Sequence, residues 1–183
     1  MKKFLLITLL ITLLLTACGE KDNQNAATEH AKTLEQSSEA SEDADATTYR
    51  LSIPKDFSEI AIEGMEFYYA AEDGSSVSLN LQPKDTAFSQ VSAEELNASL
   101  SDAFLQTYEE EVVITDHYFT TNSISGYPAY QYAISYELQG DEVTQIMIGI
   151  DADQTYTFTY TDLAGTWLDI FEDSIKTIAF INE

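Results

Sequence analysis

The sequence predicts an α+β fold, with an antiparallel β-sheet of about seven strands and two main helices packed on it. Apolar and polar residues alternate in segments within residues 49–83 and 112–161, a period that is typical of strands. Two other stretches, at 92–108 and 162–178, repeat their apolar residues at helical spacing. Because the connections between the strand segments are too short for parallel crossovers, we expect an antiparallel ladder.

Three strands and a helix make up the first half of this pattern. Residues 49–53 alternate and stop at a proline, residues 60–71 form a second apolar stretch, and residues 77–82 alternate again. Ser92 and Glu95 then form a capping box, in which each side chain bonds the backbone N–H of the other residue. The predicted helix places Leu96, Leu100 and Phe104 on one face, with Ala103 and Tyr108 beside them.

Four strands and a second helix complete the pattern. The strands are predicted at residues 112–124, with a bulge near His117, and at 130–138, 143–150 and 155–161. Asp162 is a natural N-cap for an amphipathic helix that follows and extends to about Ile178. The predicted order is therefore three strands, a helix, four strands and a helix.

The N-terminus has the features of an export signal. Lys2 and Lys3 precede an apolar run over residues 4–15, and small residues follow it. A run of about a dozen residues is shorter than the roughly 20 that a membrane-spanning helix needs. We therefore expect residues 1–17 to be removed as a signal peptide.

The end of this segment, Leu15-Thr16-Ala17-Cys18, resembles the lipobox of bacterial lipoproteins. In that family a lipid is attached to the cysteine sulfur, and cleavage makes the cysteine the new N-terminus. Cys18 is the only cysteine in the chain, so it cannot form an internal disulfide, and a lipid thioether explains why it is unpaired. The alternatives are an ordinary secretory signal with a chance cysteine, or a free thiol.

These features predict a lipid-anchored chain with one globular domain. Residues 18–48 comprise the lipidated cysteine and an acidic linker, predicted to be disordered because it lacks aromatic residues and contains few large apolar ones. Residues 49–183 form a globular domain of ordinary size. The expected location is the extracytoplasmic face of a bacterial cell membrane, held there by the lipid on Cys18.

The domain resembles the PsbP-like superfamily, which includes DcrB-related bacterial lipoproteins. The matching features are the entry strand that ends at Pro54, the segment Gly126-Tyr127-Pro128-Ala129-Tyr130 leading a strand, the 156–161 strand and the final helix around residues 173–178. The resemblance implies an antiparallel sheet with helices packed on it. It implies binding or assembly rather than a specific chemistry, because fold does not fix function.

The charge of the chain excludes nucleic acid as a partner. The domain has 24 acidic and 4 basic residues, whereas phosphate backbones require a basic surface. Cationic partners or divalent cations would be attracted. The simpler interpretation is that this charge keeps an exported domain soluble.

No catalytic residues, metal site or cofactor are predicted. His117 is the only histidine of the domain, and no serine lies in a nucleophile motif. Zinc would need more histidine or cysteine ligands than the domain contains. The spacing from Asp151 and Asp153 to Asp162 suggests a calcium loop, but the required glycine and glutamate are missing, and the residues between them favour a strand.

Aromatic residues at strand spacing are the remaining candidates for a binding site. Tyr130, Tyr132, Tyr136 and Trp167 are the candidate ligand-binding residues, because a groove of such rings suits a peptide or glycan. The favoured alternative is that these rings pack within the sheet.

The leading functional hypothesis is a non-catalytic, protein-binding or assembly lipoprotein, expected to be monomeric. The alternative is a lipoprotein that binds a small ligand or glycan through an aromatic face. An enzyme centred on His117 is the third hypothesis.

Overall fold

The computed structural model describes residues 33–37, 48–84, 92–108, 112–138 and 140–181. These residues form the elements β1 (Thr33–Ser37), β2 (Thr48–Ser52), β3 (Ser58–Glu59), β4 (Phe67–Ala70), β5 (Ser76–Pro83), α1 (Ala93–Tyr108), β6 (Val112–Ile124), β7 (Tyr127–Leu138), β8 (Asp141–Asp151), β9 (Gln154–Asp162), α2 (Leu168–Ile175) and β10 (Ala179–Ile181). The predicted α+β class is confirmed.

Seven strands form the main sheet, in the order β3-β4-β5-β9-β8-β7-β6. Every neighbouring pair in it is antiparallel, as the short connections predict. The bulge predicted near His117 is present in β6, where the register shifts between Ile114 and Asp116. Strands β3 and β6 lie at the two edges of this sheet.

A second sheet of three strands has the order β1-β2-β10. Strand β2 pairs with β10, where Tyr49 lies opposite Phe180, and with β1, where Leu51 lies opposite Leu34. The structure corrects the prediction of a disordered linker at Thr33–Ser37, which form β1. A strand edge offers unpaired backbone N–H and C=O groups, and pairing with them does not require apolar side chains. The other residues of the predicted linker before Thr48 lie outside the described residues.

Two predicted elements are shorter in the structure. The strand predicted over residues 60–71 is reduced to β4, because a turn precedes it in which Gly64 adopts a φ of +82°. The helix predicted from Asp162 begins only at Leu168, and its N-cap residue is Trp167. Asp162 is the last residue of β9, and the prediction that it caps the helix is wrong. Its carboxylate instead binds the backbone of the loop between β9 and α2.

The capping box predicted at the start of α1 is confirmed. The backbone N–H of Ser92 donates to Glu95 Oε2 at 2.9 Å, and the backbone N–H of Glu95 donates to Ser92 Oγ at 3.2 Å. Farther along the helix Phe104 is buried, as predicted, and its ring lies 4.9 Å from that of Tyr136. Helix α1 therefore packs against β7.

The main core lies on the other face of the sheet, beneath β2, β10 and α2. Its centre is aromatic, with Tyr49 in edge contact with Tyr156 and Phe158, and Phe171 of α2 against Tyr160. The Tyr160 hydroxyl lies 3.1 Å from Ser174 Oγ, which in turn donates to the Ser52 carbonyl at 2.6 Å. These contacts join α2 to both sheets.

The α1 side of β5, β8 and β9 is polar and nevertheless buried. The Ser, Thr, Asn and Gln side chains that alternate with the apolar core residues are almost inaccessible to solvent: Ser76, Ser78, Asn80, Gln145, Thr155, Thr157, Thr159 and Thr161. Gln145 Nε2 donates to Thr161 Oγ1 at 3.2 Å. Both faces of the central strands are thus covered, although only one is apolar.

Candidate functional site

The predicted anchor lies outside the described residues. Cys18, the signal segment before it and most of the predicted linker precede or fall between the described ranges. Within the described ranges, neither helix has the length and apolar character that crossing a membrane requires. Attachment through Cys18 therefore remains a prediction from the sequence.

Three of the predicted ligand-binding aromatics lie side by side on β7, under α1. Tyr130, Tyr132 and Tyr136 are all buried, and burial raises the pKa of Tyr130 to about 12. The Tyr132 hydroxyl lies 3.4 Å from Ser101 Oγ of α1. These rings fill the space between sheet and helix, which is the packing role that the sequence favours for strand-spaced aromatics.

The fourth predicted residue, Trp167, lies in a different part of the molecule. It is half-buried and packs edge-on against Phe57, with ring centroids 4.8 Å apart, as part of the cluster formed with α2. Its indole N–H donates to Asp73 Oδ2 at 2.8 Å. The structure therefore does not bring Trp167 together with the three tyrosines, and the four do not form one open groove.

The Trp167–Asp73 hydrogen bond predicts a pH-dependent fluorescence signal from the domain. Partial burial tends to raise the pKa of Asp73, but hydrogen bonds from Trp167 and from Ser75 outweigh it and hold that pKa below its usual value. The bond contributes stability above the unfolded pKa of about 4, and this contribution is lost as pH falls through the lower folded pKa. Because Trp167 is the only tryptophan, we expect its emission to shift in acid.

The measurement is a fluorescence titration of the folded protein from neutral pH downwards. Asp73→Asn should abolish the acid transition while the domain remains folded by circular dichroism. An unchanged transition in that variant would show that another group controls the emission of Trp167.

The other residues that were candidates for catalysis or calcium binding do not come together in the structure. His117 is exposed on β6, with its ring 5.0 Å from that of Tyr132, and its backbone N–H donates to the Asp116 carboxylate. The chain between Asp153 and Asp162 is strand β9, as the sequence predicts, so these residues do not form a calcium loop.

A shallow cleft of about 360 Å³ lies between β2, β10 and the end of α2. It is lined by Arg50, Ser52, Lys176, Thr177 and Ala179. Two of the four basic residues of the domain thus lie here, but Lys176 Nζ forms a 2.9 Å ion pair with Asp173. Asp173, with Glu172 and Asp169 nearby, raises the pKa of Lys176. These acids offset the positive charge, so the cleft is a weak site for an anion.

The open edge of β6 is the surface best suited to contact another molecule. β6 has 13 residues and pairs only with β7 among the described strands, so its outer side presents free backbone donors and acceptors. The bulge at residue 115 leaves a regular segment from Asp116 to Ile124. A strand of this length can bind an extended segment of another chain by β-augmentation.

Exposed apolar side chains flank this edge on both faces of the sheet. Val113 is 63% exposed, Tyr118 53% and Ile114 38%. Val113 and Tyr118 lie opposite Glu137 and Ala133 of β7, so both project to the same face, whereas Ile114 projects to the other. Leu105 of α1, which packs beside β6, is also exposed. We call the outer side of β6 with these four residues the β6 edge.

The β6 edge is not among the sites that the sequence predicts. A signal was present, because residues 112–124 lack the regular alternation of the other strands and contain four threonine or serine residues. A central strand covered on both faces has a different composition. However, no feature of one strand in isolation shows on which side it lacks a neighbour.

Comparisons with known proteins give the fold. No family model matches the sequence, and no curated protein is similar to it at a significant level. Among solved structures the chain is similar to cyanobacterial PsbP (CyanoP) from Synechocystis sp. PCC 6803, with a TM-score of 0.61 and 8% identity over 87% of this chain and 98% of that one.

A second similar structure is LpqN, involved in cell envelope biogenesis of Mycobacterium tuberculosis. The TM-score is 0.47 and the identity 12%, over 76% of this chain and 87% of that one. Identities this low bear on the fold and not on the activity. The likeness to the PsbP structure, at a TM-score of 0.61, shows the fold alone, and this chain has the α+β fold of the PsbP-like type that the sequence predicts.

Proposed function

We propose that this chain is a membrane-anchored extracytoplasmic lipoprotein that binds a protein partner through the β6 edge and performs no catalysis. The lipid on Cys18 confines the domain to the outer face of a bacterial cell membrane. The linker allows the domain to search for its partner near the membrane. This protein-binding or assembly role depends on the tether, because confinement raises the effective concentration of the two partners.

The observation that supports this proposal most strongly is the combination of free backbone and exposed apolar groups on β6. Proteins usually protect such edges with lysine, proline or short strands. The described residues of β6 contain no lysine, and the bulge interrupts only the beginning of the strand. The predicted aromatic face lends no comparable support to a glycan-binding role, because three of its four members are buried.

The partner segment that fits the β6 edge is extended and positively charged. Asp116 lies in β6, Glu137 lies opposite Val113, and Glu109-Glu110-Glu111 immediately precedes the strand in the sequence. Complementary charge speeds encounter and disfavours acidic partners. Exposed Val113 and Tyr118 would contact alternate side chains of the added strand.

The test is site-specific crosslinking in the cell that makes the protein. A photo-reactive phenylalanine analogue replaces Val113, and a second protein carries it at Ile170 of α2, which is 43% exposed and distant from β6 in the fold. We expect an adduct from position 113. Tyr118→Lys should reduce this adduct by about tenfold, equivalent to about 1.4 kcal/mol of binding, whereas Tyr118→Phe should retain it.

The expected loss has a physical reason, since a lysine on a strand edge opposes strand addition and repels a basic segment. Both Tyr118 variants should unfold at the same temperature as the unaltered protein, because the side chain is exposed. Equal adduct yield from position 170, or an adduct that persists in Tyr118→Lys, would refute binding at the β6 edge.

A further inference from the structure

We propose that the turn between β8 and β9 binds a divalent cation of the calcium type through the Asp151 carboxylate and the Ala152 carbonyl, at the position that the Lys84 ammonium group takes in this structure. Asp153 adds a second negative charge to the same turn. The site is independent of the β6 edge, and it differs from the calcium loop that the sequence spacing suggests.

Asp151 is a buried carboxylate whose charge is only partly compensated. The residue is 3% exposed, and its Oδ1 atom accepts no hydrogen bond from any residue that the structure describes. Lys84 Nζ, the cation nearest to it among the described residues, is 3.8 Å from Oδ1, which is too far for a hydrogen bond. Buried carboxylates normally have close hydrogen-bond donors or a metal ion. The Oδ1 atom therefore has a free coordination position directed towards Lys84.

Lys84 marks the point at which a cation is stabilised. Its ammonium nitrogen lies 2.7 Å from the Ala152 carbonyl oxygen as well as 3.8 Å from Asp151 Oδ1. Its side chain is 48% exposed, so the ammonium group can move into solvent without disturbing the core. The Ala152 carbonyl oxygen and Asp151 Oδ1 would remain in place for another cation.

The turn holds these oxygen atoms in position. The backbone N–H of Ala152 donates to the Gln154 carbonyl at 3.0 Å, and the Tyr156 hydroxyl donates to Asp153 Oδ1 at 3.0 Å. Asp153 Oδ2 is buried and accepts no hydrogen bond from the described part of the chain. The turn between β8 and β9 therefore contains two carboxylates, on Asp151 and Asp153, that each have one oxygen without a hydrogen bond from a described residue.

These carboxylate and carbonyl oxygens suit a hard cation, which we expect them to bind with modest affinity. Calcium binds carboxylate and backbone carbonyl oxygens and tolerates water in the remaining positions. Because the described residues contain no group of three acidic, histidine or cysteine side chains placed to hold a metal, we expect a dissociation constant on the order of 10⁻⁴ to 10⁻³ M, as in extracellular calcium modules. The acidic domain raises the local cation concentration.

Lys84 makes the proposal testable, because its ammonium group competes with the metal ion. Calcium titrations by calorimetry, on the full mature chain, should give an affinity at least about tenfold higher for Lys84→Met than for the unaltered chain. Calcium should also raise the melting temperature of Lys84→Met more than that of the unaltered chain, since only the folded state contains the site.

Removing the carboxylate provides the second half of the test. Lys84→Met/Asp151→Asn should lose this calcium response, whereas Lys84→Met/Asp169→Asn, which alters an exposed acid on α2, should retain it. If Lys84→Met binds calcium no better than the unaltered chain, the proposal is wrong. It is also wrong if the Asp169 and Asp151 double variants lose calcium equally, because binding would then reflect net charge alone. Lys84→Met/Asp153→Asn, which should bind more weakly, provides a second assay if the Asp151 variant does not fold.

Discussion

Gly149→Ala is expected to destabilise the domain by about 3 kcal/mol, near the upper end for overpacking a tight core. A Cβ atom at position 149 of β8 would overlap Cε1 and Cζ of Tyr130, whose ring lies over the glycine. Tyr130 cannot move away easily, because it is buried and stacks on Phe119 with centroids 6.2 Å apart. Chemical denaturation of the purified domain-containing chain measures this loss.

A double-mutant cycle distinguishes this clash from a general intolerance of alanine at position 149. Tyr130→Ala alone should also be costly, by about 3–5 kcal/mol, since it removes a buried ring. In the Tyr130→Ala background, however, Gly149→Ala should cost less than about 1 kcal/mol because the overlapping atoms are absent. Additive losses would contradict the contact between the ring and the glycine.

Asp162→Ala is the second substitution with a large expected effect. The carboxylate is almost fully buried, and it accepts hydrogen bonds from the backbone N–H groups of Ala164, Gly165 and Trp167 at 3.0, 2.9 and 2.9 Å. Alanine would leave three donors without partners at the start of the loop that leads to α2. Since a hydrogen bond to a charged group contributes about 1.5–3 kcal/mol, we expect a loss of at least about 3 kcal/mol.

Two matched variants make the interpretation specific. Asp162→Asn keeps the shape and one acceptor oxygen but places an amide donor against one of the N–H groups, so its loss should be intermediate. Asp169→Ala, at an exposed acid on the first turn of α2, should change stability by less than about 1 kcal/mol. Similar losses for Asp162→Ala and Asp169→Ala, measured by thermal and chemical unfolding, would show that the buried hydrogen bonds matter little.

The sequence predicts the strands best where apolar and polar side chains alternate with a period of two. Tyr156, Phe158 and Tyr160 fall on the core face, as their period of two requires, and the Ser92–Glu95 box begins α1 where the motif predicts. These features depend on neighbours within a few residues. Local patterns are sufficient to identify them.

The errors arise where distant parts of the chain decide the outcome. Asp162 has the residue type of a helix cap, but its pairing with Thr144 of β8 makes it the last residue of β9. Four of the five residues of Thr33–Ser37 are polar, and the edge of β2 with which they pair makes them a strand. Thr159 alternates with core residues, yet it is also buried. None of these outcomes can be derived from local composition.

The dependence on distant parts of the chain also explains why the sequence alone does not locate the candidate sites. Aromatic residues spaced for a strand suggest a groove, whereas the structure separates Trp167 from the tyrosines of β7 because they lie on opposite sides of the sheet. The β6 edge is defined by the position of β6 at the end of the sheet, where β7 is its only neighbour among the described strands. The pairing order of the sheet identifies it, and that order is a property of the whole fold.

If the domain acts from a lipid tether at the outer face of the membrane, as we propose, Cys18→Ala should release it from the membrane. The measurement is the distribution of the protein between membrane and soluble fractions, together with the mass of its N-terminal peptide and the yield of the position-113 adduct. We predict that the unaltered protein carries a lipid on Cys18 and sediments with membranes, whereas Cys18→Ala is soluble and gives little adduct. A Cys18→Ala protein that partitions with membranes as firmly as the unaltered one would contradict the account.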